Sequence, residues 1–234
     1  MTHSVDHMVG FTIRATDGDV GKIDEFYFDD ETWTIRYMVA ETGNWLSDRK
    51  VLISLAALGK PDWESHTFTV NLTCEQVRNS PDIDTKLPIF RQHEAALHAY
   101  YNWPLYWEGG YGGTFGISTF PLLEKPPLPA LDSTVPPEDQ HLRSTKQVTG
   151  YHIHATDGDI GHVDDFIVDE KQWGVRYLVV ETGAWFTHKK VLIAPLWITK
   201  VNWADASVYL DRTREAVRNS PELEFAKTID RFSE

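Results

Sequence analysis

Sulfur chemistry is nearly absent from this chain, in which Cys74 is the only cysteine among 234 residues. A single thiol excludes an intramolecular disulfide and a thiolate metal site, and it suits a reducing compartment. Basic residues are scarce as well. Lys and Arg total 22 against 35 Asp and Glu, a formal charge of −13, so a phosphate backbone is a poor partner, because binding one requires clustered cations. The short basic steps Arg49-Lys50 and His188-Lys189-Lys190 read as solvated strand edges. Long apolar runs are missing too. None approaches the ~20 residues that cross a bilayer, and the start, Met-Thr-His-Ser-Val-Asp-His-Met, has neither the basic nor the apolar region of a secretion signal. The expectation is a cytoplasmic protein without nucleic-acid partners or membrane insertion. What the chain does have is core material, 41% hydrophobic and 12% aromatic, sufficient for two modest domains.

Those domains are duplicates. Ala-Thr-Asp-Gly-Asp-Val-Gly at 15–21 returns as Ala-Thr-Asp-Gly-Asp-Ile-Gly at 155–161. Sliding the sequence by 140 positions aligns 10–82 with 150–222 without a gap, about two positions in five being identical. The organisation expected is a first repeat over 1–82, a linker over 83–149 and a second repeat over 150–234.

Within a repeat the pattern is β. Asp17-Gly18 between apolar runs is a hairpin turn, since glycine accepts positive φ. Ile23 and Phe26 are an odd number of residues apart, so both can face one core only across a bulge near Asp24-Glu25, and Val163 and Phe166 repeat the demand. Asp29-Asp30-Glu31 makes the next turn. Strands follow at 33–41, 50–53 and 67–72, and one helical turn at 73–79 is stopped by Ser80-Pro81. Many short strands in so few residues predict a small β-barrel, twice.

The linker has another character. A helix is expected near 89–101, then comes Tyr100-Tyr101-Asn102-Trp103-Pro104-Leu105-Tyr106-Trp107-Glu108-Gly109-Gly110-Tyr111, and prolines from Pro121 to Pro137 mark an extended tether. So many rings should pack on one or both barrels.

Asp17-Gly18-Asp19-Val20-Gly21-Lys22-Ile23-Asp24-Glu25-Phe26, Ile35-Arg36-Tyr37-Met38-Val39 before Glu41-Thr42-Gly43, and Val51-Leu52-Ile53 resemble the PRC-barrel domains. The resemblance covers both repeats. It implies a barrel of about six strands that serves as a docking module. The domain is similar to the cytoplasmic part of the photosynthetic reaction centre H subunit and to the C-terminal domain of a ribosome maturation factor. No catalytic residues come with it.

Chemical candidates are few. An EF-hand loop starting at Asp17 needs Gly sixth and Glu twelfth, where this chain has Lys22 and Phe28, which leaves the hairpin reading. Glu41 and Glu181, five residues after Arg36 and Arg176, read as strand-end ion pairs or turn caps. His152 and His154 share a strand face, but Thr12 and Arg14 replace them in the other repeat, so they read as surface histidines. Catalytic, cofactor-binding and metal-ligating residues are assigned to none. Trp33/Trp173, Trp45/Trp185 and Trp63/Trp203 recur and read as structural. Trp103, Tyr106, Trp107, Tyr111 and Trp197 do not recur in this way and form the candidate partner-binding surface. The reading is a non-enzymatic adaptor whose barrels pack about a pseudo-two-fold axis, with an unidentified protein partner and self-association left open. The alternative is a small-ligand or metal-binding protein with its site between the barrels and the aromatic linker.

Overall fold

The computed structural model describes residues 1–43, 49–81, 89, 91–103, 106, 141–183 and 189–221. A short strand β1 (Thr2–Ser4) and a turn of helix α1 (Val5–Met8) lead into β2 (Thr12–Ala15) and the long β3 (Gly18–Asp29). Then follow β4 (Thr34–Glu41), β5 (Lys50–Ser54), β6 (Leu58–Asp62), β7 (Thr67–Val70) and the closing helix α2 (Cys74–Arg78). Between the repeats lies α3 (Arg91–Tyr101). The second repeat runs through β8 (Leu142–Ser144), α4 (Thr145–Val148), β9 (His152–Ala155), β10 (Gly158–Asp169), β11 (Val175–Thr182), β12 (Lys190–Ile193), β13 (Ile198–Asn202), β14 (Ser207–Leu210) and α5 (Arg214–Arg218). The protein is mainly β.

Two seven-stranded sheets result. Pairing in the first runs β5-β4-β3-β2-β7-β6 and in the second β12-β11-β10-β9-β14-β13. The expected barrels are not closed by hydrogen bonding. β5 passes into β6 through the single 3₁₀ turn Leu55–Ala57, which does not fold the chain back as a hairpin, and no pairing joins the two end strands among the described residues. Each sheet is curled but open.

The bulge demanded by the odd spacing is present. Ile23 pairs with Ala40, but the next partner pair is Glu25 with Val39, and Val163/Asp165 repeat the shift. Its consequence reaches beyond register. The first part of β3 pairs with β2 up to Lys22, and past the bulge that edge is taken by β8, with Tyr27 opposite Ser144 and Asp29 opposite Leu142. β1 does the same to β10, with Thr2 opposite Asp169 and Ser4 opposite Ile167. Each repeat thus lends its leading strand to the other.

A second exchange follows from the turn after the long strand. Asp29 Oδ1 accepts the amides of Glu31 and Thr32 at 3.1 and 2.9 Å, a local Asx turn that ends with Trp33 at φ 52 and, in the other copy, Trp173 at φ 56. The Trp33 carbonyl accepts the Val175 amide at 2.7 Å and the Trp173 carbonyl accepts the Ile35 amide at 2.9 Å. Trp173 packs on Phe26 and Phe68 of the first repeat. One apolar cluster therefore runs through both repeats, from Ile13, Phe26 and Phe68 to Ile153, Phe166 and Val208.

Two glycines carry distinct constraints. Gly21 lies so close to β4 that a Cβ there would strike the Glu41 carbonyl, as would one on Gly161 the Glu181 carbonyl, whereas Gly10 has φ +85 and open space around it. Gly21→Ala should destabilise by about 1–3 kcal/mol and Gly10→Ala by about 1–2 kcal/mol. Asn distinguishes them in urea titrations: it recovers much of the loss at position 10, because Asn tolerates the left-handed region, and recovers nothing at position 21.

Candidate functional site

Two places gather polar groups in depth. The first is where the repeats meet. The bulges turn Glu25 and Asp165 inward, leaving them 5% and 9% exposed. Ser144, the N-cap of α4, donates its hydroxyl to Glu25, and Ser4, the N-cap of α1, donates to Asp165 at 2.5 Å. Asp165 also accepts the amide of Asp6 at 3.0 Å. Thr145 adds a two-way clasp, accepting from the Phe26 amide and donating to the Phe26 carbonyl. Burial pushes both carboxyls above their ordinary values, and the serine bonds only partly oppose it.

Between these carboxyls lies a cleft of about 240 Å³ lined by matched residues of the two repeats, including Asp24 and Asp164, Glu25 and Asp165, Asp6 and Lys146. The last pair breaks the symmetry. Asp24 receives Lys50 at 2.7 Å and Lys146 at 3.2 Å. Burial raises it, but these two bonds outweigh the burial and hold it below the usual carboxylate range. Asp164 receives Lys190 at 2.6 Å, and where Lys146 would stand the first repeat supplies Asp6. Lys50 and Lys190, expected as solvated edge charges, do stand on the end strands β5 and β12, but each reaches across one strand to a carboxylate on β3 or β10.

The second place is the outer face of the first sheet, under α3. Ile89 and Leu97 pack there on Tyr27, Tyr37, Val39 and Leu52. In the same interface Glu94 is 0% and His98 2% exposed. The Tyr37 and Tyr106 hydroxyls both donate to Glu94 Oε2, at 2.9 and 2.6 Å. Because Tyr37 has spent its proton on Glu94, the 2.7 Å contact between its oxygen and His98 Nε2 requires the imidazole to donate. The other carboxylate oxygen, Oε1, lies 2.8 Å from His141 Nε2 but off a hydrogen-bonding line. Arg36 lies over the Tyr106 ring at 4.1 Å. Burial, then the charge of Glu94, drive the Tyr37 phenol far above its ordinary range, so Tyr37 stays a donor.

Two repeats with this strand order, bulge and turn sequence have a counterpart among known domains: the PRC-barrel domain matches residues 2–73 and 150–216. The chain belongs to the PRC-barrel family. A comparison with curated proteins finds no match. Within the PRC-barrel framework, Glu94, His98, Tyr106 and His141 lie in the linker, outside both matched regions, and only Tyr37 and Arg36 of this cluster come from a matched one.

Of the residues singled out from sequence, Trp103 and Tyr106 meet at the His98 ring under α3, while Trp197 lies apart on the second repeat. Trp103 stacks on Tyr101 at 4.1 Å and packs against the core. Tyr106 points its hydroxyl into the Glu94 cluster, and both are half-buried on the first repeat. Trp197 lies about the second repeat under Arg212. Trp107 and Tyr111, like Trp45 and Trp185, lie outside the described residues. Arg36 turns toward Asp29 at 3.9 Å and Arg176 toward Asp169 at 3.6 Å, not toward Glu41 and Glu181, because a five-residue separation puts the partners on opposite faces of a strand. His154 pairs with Asp159 at 2.6 Å and stacks on Tyr209. Among the described residues no group of three or more His, Cys, Asp or Glu is arranged to hold a metal, and no helix is long and apolar enough to cross a membrane. Sequence reading missed Glu94 and His98, although their four-residue spacing on one helix face was available as a signal.

The inter-repeat carboxyls give a pH signature. A carboxyl whose native pKa is raised contributes fully below its unfolded value, 4.5 for Glu25 and 3.8 for Asp165, and loses that contribution as pH rises through the native value. Gln and Asn cannot ionise but still accept from serine. In thermal melts the difference Glu25→Gln minus wild type, and likewise Asp165→Asn, should grow more favourable as pH rises from about 4.5 to 7. A difference that is flat across this range would show that burial does not penalise these carboxylates.

Proposed function

We propose that this PRC-barrel protein is a non-enzymatic cytoplasmic adaptor that holds a protein partner on its second repeat. The observation carrying this reading is an apolar surface that the first repeat lacks. Leu196, 89% exposed, stands where the first repeat has Ala56, and Trp197 and Tyr209 replace Ala57 and Thr69. Arg212, in place of the buried Leu72, lies over the Trp197 ring at 5.2 Å. Tyr209 is 37% exposed. The backbone beneath it is tied by hydrogen bonds, the Asp211 amide donating to the Trp197 carbonyl and the Thr199 hydroxyl to the Tyr209 carbonyl. An exposed leucine beside aromatic rings and a stacked arginine has the composition of an interface hot spot.

A second reading has its own observation. In the inter-repeat cleft Asp6 and Asp164 face the space that Lys146 fills on the other side, which suits a small amine or another compact cation. One paired experiment separates the two. Native lysate passed over immobilised wild type and Leu196→Asp should yield a protein captured by the first and at least tenfold less by the second, with the melting temperature unchanged. Capture of no partner, together with a small molecule co-purifying in stoichiometric amount, overturns the adaptor reading in favour of the cleft.

A further inference from the structure

Glu94 is the most deeply buried charged group of the described protein, and its two oxygens are treated unequally. Oε2 holds two tyrosine hydroxyls, as given above. Oε1 has no hydrogen bond and, among the described residues, faces the His141 imidazole at 2.8 Å. An oxygen removed from water without a hydrogen bond calls for a balancing charge, because desolvation of a carboxylate is costly and the two hydroxyls on Oε2 offset only part of it. The charged and titratable described groups facing this point are Tyr37 and Arg36 from β4, His98 from α3 itself, Tyr106, and His141 preceding β8. Arg36 lies over the Tyr106 ring and turns to Thr32 and Asp29. His98 serves Tyr37. Asp30, whose carboxyl feels the charge of His141, is itself held by Arg143 at 2.7 Å, so that carboxylate and that guanidinium answer each other. The duty of balancing Oε1 falls to His141.

We propose that the Glu94–His141 pair is a proton-operated latch that holds α3 on the first repeat while His141 is protonated and loosens it as pH rises through the imidazole range. An ordinary histidine titrates near pH 6.5, and a carboxylate partner favours the charged form, so the sign follows: the stabilisation is complete at low pH and lost on the alkaline side. Without the proton, α3 keeps Glu94 buried with an oxygen that is neither bonded nor paired. Leaving the sheet rehydrates it. The face uncovered, Tyr27, Tyr37, Val39 and Leu52, is apolar apart from two phenols. This inference is independent of the adaptor surface on the second repeat.

Hydrogen exchange of the intact chain, corrected for intrinsic rates, provides the test, with the amides of Leu97 to Tyr101 compared against those of Phe26 and Val39. From pH 6 to pH 8.5 the α3 protection factor should fall by tenfold or more in wild type while the core stays constant. Glu94→Gln, which carries no charge to balance, should keep α3 docked and flatten the profile. His141→Gln should flatten it with α3 loose at both values. Equal protection of wild type at both pH values overturns the latch, and so does a Glu94→Gln profile that retains the wild-type slope, which can be measured even if His141→Gln does not fold.

Discussion

The contact on which this molecule depends is a serine hydroxyl given by one repeat to a buried carboxyl of the other. Sequence sets it up in two steps. An odd spacing of core residues forces a bulge, and the bulge both turns Glu25 or Asp165 inward and vacates a strand edge. The leading strand of the opposite repeat then fills that edge, and the cap of its helical turn supplies the hydroxyl. Taken alone, a repeat would carry a carboxyl with no partner and a row of unpaired backbone groups, both of them costly. Because the need is reciprocal, the two copies form one continuous core.

Around this shared frame the copies have diverged on the outside. The first repeat covers its outer sheet face with α3 and the Glu94 network. The second carries Leu196, Trp197, Tyr209 and Arg212 at places where the first has small or buried residues. Substitution at such positions leaves the frame alone, since the arm contacts and the paired lysines Lys50 and Lys190 are kept in both. A duplicated scaffold can in this way hold one stable arrangement while its two exteriors acquire different chemistry.

Much of the frame was legible in the sequence, for identifiable reasons. Turn and bulge are local matters, dictated by Asp17-Gly18 and by the spacing from Ile23 to Phe26, and the constant offset of 140 disclosed the duplication. Closure of the barrel was over-read, because strand patterns reveal which residues face a core but not whether the end strands meet. The exchange of arms was invisible, since Thr2–Ser4 and Leu142–Ser144 are too short to show a period and their partners lie far along the chain. The Glu94 site was hidden for a similar reason. Its members come from β4, from α3 and from His141, and only the docking of the linker brings them together; the aromatics that drew attention, Trp103 and Tyr106, contribute by turning inward.

One feature of the arm exchange bears on evolution by insertion and deletion. Because β8 lies on the first repeat, Tyr106 and His141, 35 residues apart in the chain, sit with their side chains 3.2 Å apart at the Glu94 cluster. The two ends of the stretch between them are therefore held at one point. Its length does not set the geometry of the pair. When the two ends of a stretch are held together, lengthening it costs only a logarithmic loop-closure entropy, about 0.6 kcal/mol per doubling, so insertion between Tyr106 and His141 is compatible with the two repeats keeping their embrace.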